Sequence, residues 1–272
     1  MLPFRARFAA KRLFSRSYYR RLSQILAHPL RFYAVLALKL MPGWSKGPVD
    51  IRLKDGKTIR VREFWTLFLF DEIFVENCYE PPEAMKRAPF GTVIDVGANI
   101  GLFTLRCKQL WPEARVVAIE PHPGNFHLFE EHVEINRLSD VQPMQVGIAE
   151  KCGHFDLYIA DRNIAGHSMY KKTADSHSIS IPTCTLADVM PKTEAGSGGT
   201  LLKIDCEGCE YPLLSTLTQE IADRISCIVF EPERGLYDVE VLIEKLRSLG
   251  FSISDSKGLV VAARGQGSQN ER

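Results

Sequence analysis

From residue 91 to residue 250 the chain alternates short apolar runs with stretches whose apolar positions recur every three or four residues. GTVIDVG (91–97), ARVVAIE (114–120), VQPMQVGI (141–148), LLKID (201–205) and SCIVFE (226–231) have the length and composition of buried strands. Between them, Leu102, Leu105 and Leu110, then Phe126, Phe129 and Val133, then Leu213, Leu214, Leu217 and Ile221, then Leu242, Leu246 and Leu249 fall at helical spacing. Trp111-Pro112 stops the first helix, Asn125 reads as the N-cap of the second, and Asp238 and Gly250 bound the last. Strand–helix alternation predicts an α/β fold: a parallel sheet with helices on both faces. HFDLYIA (154–160) alternates with period two and reads as an antiparallel addition. SISIPTCTLADVM (178–190) reads as a strand running into a helix start, with Thr185 and Asp188 at capping-box spacing. TEAGSGGT (193–200) is a connector. The closing runs FSISDS and LVVAA are joined through Ser256-Lys257-Gly258, too short to cross over a sheet, so they pair antiparallel.

Upstream, IRLKDGKTIRV (51–61) places Asp55-Gly56 between two short runs, a β-hairpin signal. A helical or irregular stretch follows to Pro81-Pro82, and residues 4–40 read as one or two basic helices broken near Pro29. The expected organisation is a basic helical extension (1–49), a hairpin and helical lead-in (50–90) and the α/β domain (91–272).

Charge sharpens that division. The net charge of +1 hides ten Lys/Arg and no acid in residues 1–49, against 24 basic and 33 acidic residues in the rest, a net of −9. An arm of this kind suits an anionic partner: a membrane surface, the body itself or, less fittingly, nucleic acid. FYAVLAL (32–38) is far too short to span a bilayer, and Pro29 and Arg31 interrupt any signal peptide. The acid-free start also resembles a mitochondrial transit peptide; a helical extension resting on the body or on anionic lipid is the simpler account. Seven scattered cysteines, mostly within apolar runs, read as free thiols in a reducing, cytoplasmic setting.

The chemistry gathers at the strand ends. VIDVGANIG (93–101) puts Gly97 and Gly101 between a strand and a helix, but it lacks the third glycine of a dinucleotide fingerprint, and Asp95 would repel a phosphate. A carboxylate there suits a cationic, phosphate-free nucleoside such as S-adenosyl-L-methionine. Glu120 ends the second strand 19 residues past Gly101, where this architecture accepts hydrogen bonds from a ribose diol. KIDCEGCEY (203–211) brings Asp205 and Glu207 to the same rim. Its C-x-x-C pair, Cys206 and Cys209, lacks a second close Cys/His pair for zinc and the placement of a redox motif, so it reads as apolar filler and no metal is expected.

With VIDVGANIG, AIEP (118–121), KIDCEGCEY and FEPE (230–233), the chain resembles the FkbM family of S-adenosylmethionine-dependent methyltransferases over about residues 50–255. That resemblance implies a class I methyltransferase fold, Rossmann-like, with a seven-stranded, mostly parallel sheet whose last strand is antiparallel. It also implies that Asp95, Gly97, Asn99 and Gly101 hold the methionine part, Glu120 the ribose, and Gly147 and Ile148 the adenine. Asp205 and Glu207 would then lie near methyl donor and acceptor. Glu233 stands where the family often has a histidine, which puts a histidine-based role at that strand in doubt.

Methyl transfer to an alcohol needs its proton removed, and Asp205 or Glu207 could take it, although Glu207 could equally cap the following helix. His167 and Ser168 are candidates for lining the acceptor pocket, with a surface loop the plainer account. The expected activity is O-methylation of a small molecule, glycan or lipid-linked acceptor. A nicotinamide-dependent oxidoreductase and a non-catalytic membrane-associated scaffold stand as alternatives.

Overall fold

The computed structural model describes residues 4–13, 15–41, 47–81, 90–160, 166–172, 177–191 and 198–264. Pro82 and most of the connector read over 193–200 lie outside the described residues. The chain opens with three helices, α1 (Phe4–Leu13), α2 (Arg16–Ile25) and α3 (Pro29–Leu40). The hairpin β1 (Val49–Arg52) and β2 (Thr58–Val61) follows, then α4 (Phe64–Phe70), which runs into a π-helical turn over Asp71–Val75. Next come β3 (Thr92–Val96), α5 (Leu102–Leu110), β4 (Arg115–Ile119), α6 (Pro123–Ile135), β5 (Val141–Met144), β6 (Gly147–Ile148), β7 (Gly153–Tyr158), β8 (Ser178–Cys184) and α7 (Leu186–Val189). The last elements are β9 (Thr200–Ile204), α8 (Glu210–Ser215), α9 (Gln219–Ala222), β10 (Cys227–Phe230), α10 (Val239–Ser248), β11 (Ser252–Ser256) and β12 (Leu259–Ala263).

Seven strands form the main sheet in the order β11-β12-β10-β9-β3-β4-β5. Neighbours from β5 to β10 pair parallel, and β12 runs antiparallel to both β10 and β11. This is the class I methyltransferase sheet that the sequence led us to expect. Alternate residues of each strand enter two cores. Val93, Val116, Ala118, Leu201 and Val229 face one that also takes in Phe8, Leu22, Phe32, Phe64 and Phe70 from the first helices. Ile94, Val117, Leu202 and Ile228 face the other, closed by Leu213, Leu214, Leu242 and Leu246. The smaller sheet β6-β8-β7 stands beside the main one, with β7 antiparallel to β8.

Several boundaries differ from expectation for local reasons. The basic arm holds three helices, because Ser15 caps a fresh start at Arg16. His122, not Asn125, is the N-cap of α6: Pro123 fixes a helical φ at the first position, and His122 Nδ1 accepts the Asn125 N–H at 3.2 Å. The run 141–148 divides, with Val141–Met144 on the edge of the main sheet, where Pro143 is tolerated, and Gly147–Ile148 paired with β8. The helix read over 213–221 is interrupted by Thr218, which caps α9. By contrast, the capping box at Thr185 and Asp188 and the Asp238 cap of α10 form as read.

Candidate functional site

The carboxyl ends of β3, β4, β9 and β10 meet at one rim because backbone bonds continue past the strands. The Glu120 N–H donates to Met144 O (3.1 Å), Asp205 N–H to Val96 O (3.0 Å) and Glu231 N–H to Ile204 O (3.2 Å). Beneath the rim lies an ion pair that strand register dictates. Asp95 and Lys203 are partners across β3 and β9, and Lys203 Nζ lies 3.1 Å from Asp95 Oδ1. Both are buried, and Thr104 donates its hydroxyl to Asp95 Oδ2 at 2.8 Å. Lys203 Nζ also donates to Gly97 O at 2.7 Å, tying the ammonium to the glycine turn. Burial alone would lower the Lys203 pKa; the carboxylates of Asp95 and Asp205 hold it above its ordinary value.

Asp95 therefore does not reach the cleft. The expectation that it touches a ligand gives way to a supporting place under the turn. Gly101 also departs from its expected role: at φ +81° it starts α5, and a Cβ there would lie 2.1 Å from the Phe129 ring. Gly97, at φ +76°, is demanded by the opposite wall, since a Cβ would lie 1.7 Å from the Asp205 carbonyl oxygen.

Above the turn, a cleft of about 290 Å³ collects Gly97, Asn99, Glu120, Gly147, Ile148, Asp205 and Glu207. Asn99 adopts φ +51°, and its N–H donates to Glu120 Oε2 at 2.9 Å, while the His122 N–H donates to Oε1 at 2.8 Å. Burial pushes the Glu120 carboxyl up to about 7 against those two bonds. A carboxylate offers about four acceptor positions. The Asn125 side chain also hydrogen-bonds Glu120, so three donors leave about one acceptor position, and the residues present fit a ribose hydroxyl of S-adenosyl-L-methionine.

The other end of the cleft is acidic, and its far wall comes from the N-terminal segment through Phe68, Leu69, Glu72, Ile73 and Tyr79. The Tyr79 hydroxyl can donate to Asp205 Oδ2 (2.9 Å) or Glu231 Oε2 (3.1 Å). Burial and those carboxylates raise its pKa well above the usual phenol value. Glu72, on the π-helical turn, is pushed up to about 8 by burial and by the charges of Asp205 and Glu231. Glu207 sits at φ +57°, an unusual conformation for a residue other than glycine, which turns its side chain to Lys171. Burial lifts it to about 7 even though Lys171 works in the opposite direction. Lys171 Nζ lies 2.5 Å from both Glu207 and Glu233, so Glu233 completes a bridge.

His167 lines the cleft and packs against His122 with centroids 4.0 Å apart and the rings tilted by 35°, while Ser168 is buried and donates its hydroxyl to Glu207 O at 2.5 Å. Ser168 also accepts from the Lys171 N–H, so the plain surface-loop account fails: this segment delivers the lysine. Cys206 and Cys209 are not free thiols. Glu207 and Gly208, at φ +57° and +120°, curl the turn until their Cα atoms stand 5.5 Å apart and the sulfurs are bonded. This corrects the all-thiol expectation at that pair; Cys78, Cys107, Cys152, Cys184 and Cys227 are free. Glu210 is buried and accepts from the Cys206 N–H, closing the same turn. Among the described residues, no cluster of three or more His, Cys, Asp or Glu is arranged to hold a metal, and no helix is long and apolar enough to cross a membrane.

Sequence reading missed Glu72, Tyr79, Lys171 and Lys203. Only Lys203 left a signal, a charge inside an apolar strand opposite Asp95 in another.

Comparison with known proteins identifies the family. The sequence model described as Methyltransferase FkbM domain matches residues 95–253. The chain is 28% identical over 208 residues to Methyltransferase 1 of Beauveria bassiana (strain ARSEF 2860), covering 69% of this chain and 81% of that protein. It is 39% identical over 77 residues to 31-O-demethyl-FK506 methyltransferase FkbM of Streptomyces tacrolimicus, covering 28% of this chain and 29% of that one. Among solved structures it is similar to Methyltransferase FkbM from Methylobacillus flagellatus KT, with a TM-score of 0.47 and 16% identity over 96% of this chain and 62% of that chain.

Proposed function

The chain belongs to the FkbM methyltransferase family, and we propose that it methylates a hydroxyl oxygen of a small-molecule, glycan or lipid-linked acceptor with S-adenosyl-L-methionine as donor. One observation supports this above all. A single cleft holds Glu120, buried with about one acceptor position left for a hydroxyl, and Glu207, a carboxyl pushed up to about 7. The cofactor, when bound, supplies an electrophilic methyl group. Glu120 then accepts from a ribose hydroxyl, Gly97 and Asn99 shape the floor, and Gly147 and Ile148 flank the base.

Glu207 takes the acceptor's proton at a carboxylate oxygen. Its pKa of about 7 leaves a useful fraction ionised at neutral pH and gives the base enough strength to pull. Asp205, held by Tyr79, keeps the cleft negative beside the cationic donor. Glu72 stays protonated below about 8 and offers an O–H to orient the acceptor. With so many carboxyls on its wall, the cleft favours an uncharged acceptor over an anionic one. The oxygen acceptor named for the Streptomyces tacrolimicus relative points the same way. We assign donor binding to residues 91–272 and the acceptor wall to residues 50–90.

Titration calorimetry tests the reading. S-adenosyl-L-methionine should bind, NAD should not, and Glu120→Ala should abolish binding. Heat from NAD instead, or unaltered binding in Glu120→Ala, overturns it. Mass spectrometry of a metabolite pool incubated with methyl-labelled donor then identifies the acceptor.

A further inference from the structure

We propose that the outer face of α2 and α3 docks on an anionic lipid bilayer. A helix packed on a globular body needs only one apolar stripe. α3, PLRFYAVLALKL, has two. Phe32, Val35 and Leu36 are buried against the core. Leu30, Ala34 and Ala37, spaced four and three apart, form a second row that is exposed, with Met41 just beyond the helix end. Leu30 is 70% exposed and Met41 47%. Of the seven large apolar side chains that stand exposed among the described residues, Phe4, Tyr19, Leu30 and Met41 fall within the first 41 residues. Phe4 packs on Trp65 of α4, while Tyr19, Leu30 and Met41 belong to α2, α3 and the residue just past α3.

α2 extends that row and supplies charge. Tyr19 stacks on Tyr33 of α3, centroids 6.5 Å apart with an interplanar angle of 16°, so the exposed Arg16 and Arg20 border the apolar row. Arg31 is exposed beside Leu30. The inward cations are already spent on the body, Arg12 on Asp71 and Arg21 on Glu76. No ion pair to Arg16, Arg20 or Arg31 forms among the described residues, and residues 1–49 contain no acid to provide one.

An apolar row edged by arginine matches the headgroup region of a bilayer, with phosphates above and acyl chains below. It suits nucleic acid poorly, since the row would face a hydrated phosphate backbone and gain nothing. Docking through this face is independent of the cleft chemistry.

Full-length protein is sedimented with vesicles of phosphatidylcholine alone and of phosphatidylcholine with phosphatidylserine. Binding is expected to the anionic vesicles and to weaken at least about tenfold in Leu30→Glu/Met41→Glu, where charge replaces the apolar anchor. A similar loss is expected in Arg16→Gln/Arg20→Gln/Arg31→Gln, whose surface changes leave the core alone. Urea midpoints and S-adenosyl-L-methionine binding, measured beside sedimentation, should match wild type in both. No binding of wild type to anionic vesicles, or undiminished binding in the arginine variant, overturns the proposal. So does a dimer in light scattering that the Leu30/Met41 variant dissolves, because the face would then belong to a second copy of the chain.

Discussion

Replacing Lys203 with Met tests the foundation of the site. The substitution keeps the volume roughly and removes one charge from a buried pair. Asp95, 0% exposed, would then keep only the Thr104 hydroxyl as donor, and the Gly97 carbonyl would lose its 2.7 Å bond. Removing one partner of a buried pair costs about 3–5 kcal/mol, because the remaining charge is stranded. Domains have only about 5–15 kcal/mol in total, so Lys203→Met should lie near the edge of folding. Asp95→Asn added to it removes the stranded charge and should recover about 2 kcal/mol or more, leaving a foldable double variant. Urea denaturation of wild type, both single variants and the double gives the coupling. In the double variant the glycine turn has lost its anchor, so calorimetry should show S-adenosyl-L-methionine affinity down about tenfold. A cost below about 1 kcal/mol for Lys203→Met, or a double variant no more stable than Lys203→Met, would show that the two charges are not a buried pair on which the turn depends.

Glu207→Gln should bind S-adenosyl-L-methionine as wild type does yet lose about 10²–10⁴-fold in turnover; wild-type kcat, which needs the ionised carboxylate, should fall as pH drops through about 7, and retention of full turnover sinks the base assignment. Gly97→Ala would force a left-handed residue against the Asp205 backbone carbonyl, so we expect a loss of about 2 kcal/mol or more, and an unchanged melting temperature would contradict the close approach. Glu72 has a folded pKa of about 8, above its ordinary value of 4.5, so the folded form holds the proton more tightly and stability is lost as pH rises from about 4.5 through 8. Glu72→Gln should therefore match wild type near pH 4 but exceed it by on the order of 2 kcal/mol near pH 9 in urea midpoints; parallel pH curves would refute the burial of that carboxyl.

The parts of the fold that were legible in sequence are those whose signal is local. Strand runs, the Asp55-Gly56 hairpin and the Asp238 and Thr185 caps each depend on residues within a few positions of one another. The rim positions of Glu120 and Asp205 were legible for the same reason, since each directly follows the end of a strand, whereas the direction of Glu207 is set by its positive φ. Asp95 was misplaced because its position at the strand end suggested exposure, whereas period-two alternation puts it on the same face as Val93 and Lys203, inside the sheet. Two opposite charges in two apolar strands would have been enough to pair them. Nothing local could reveal Tyr79 bonding to Asp205, 126 residues away, or Lys171 reaching Glu207 from a segment without regular structure. The Cys206–Cys209 turn lay between these cases. Its spacing permitted a bond, and the positive φ of Glu207 and Gly208, invisible in composition, brought the sulfurs together.

This separation of local from long-range signals also divides the cleft. One end rests on the β3 turn and Glu120 of the main sheet and on Gly147-Ile148 of the smaller one. The acidic end is assembled from the wall over 68–79, the segment delivering Lys171, and Glu231 and Glu233 past β10. Those pieces have no common motif and meet only through tertiary packing. Arg12 and Arg21 fasten that wall to α1 and α2 by pairing with Asp71 and Glu76 on either side of Glu72. The basic helices thus buttress the element that supplies the Glu72 carboxyl. A shift of α2 on its outer side would reach Glu72 through one ion pair and a single π-helical turn. The acidic end of the cleft is therefore tied mechanically to the N-terminal helices as well as to the sheet.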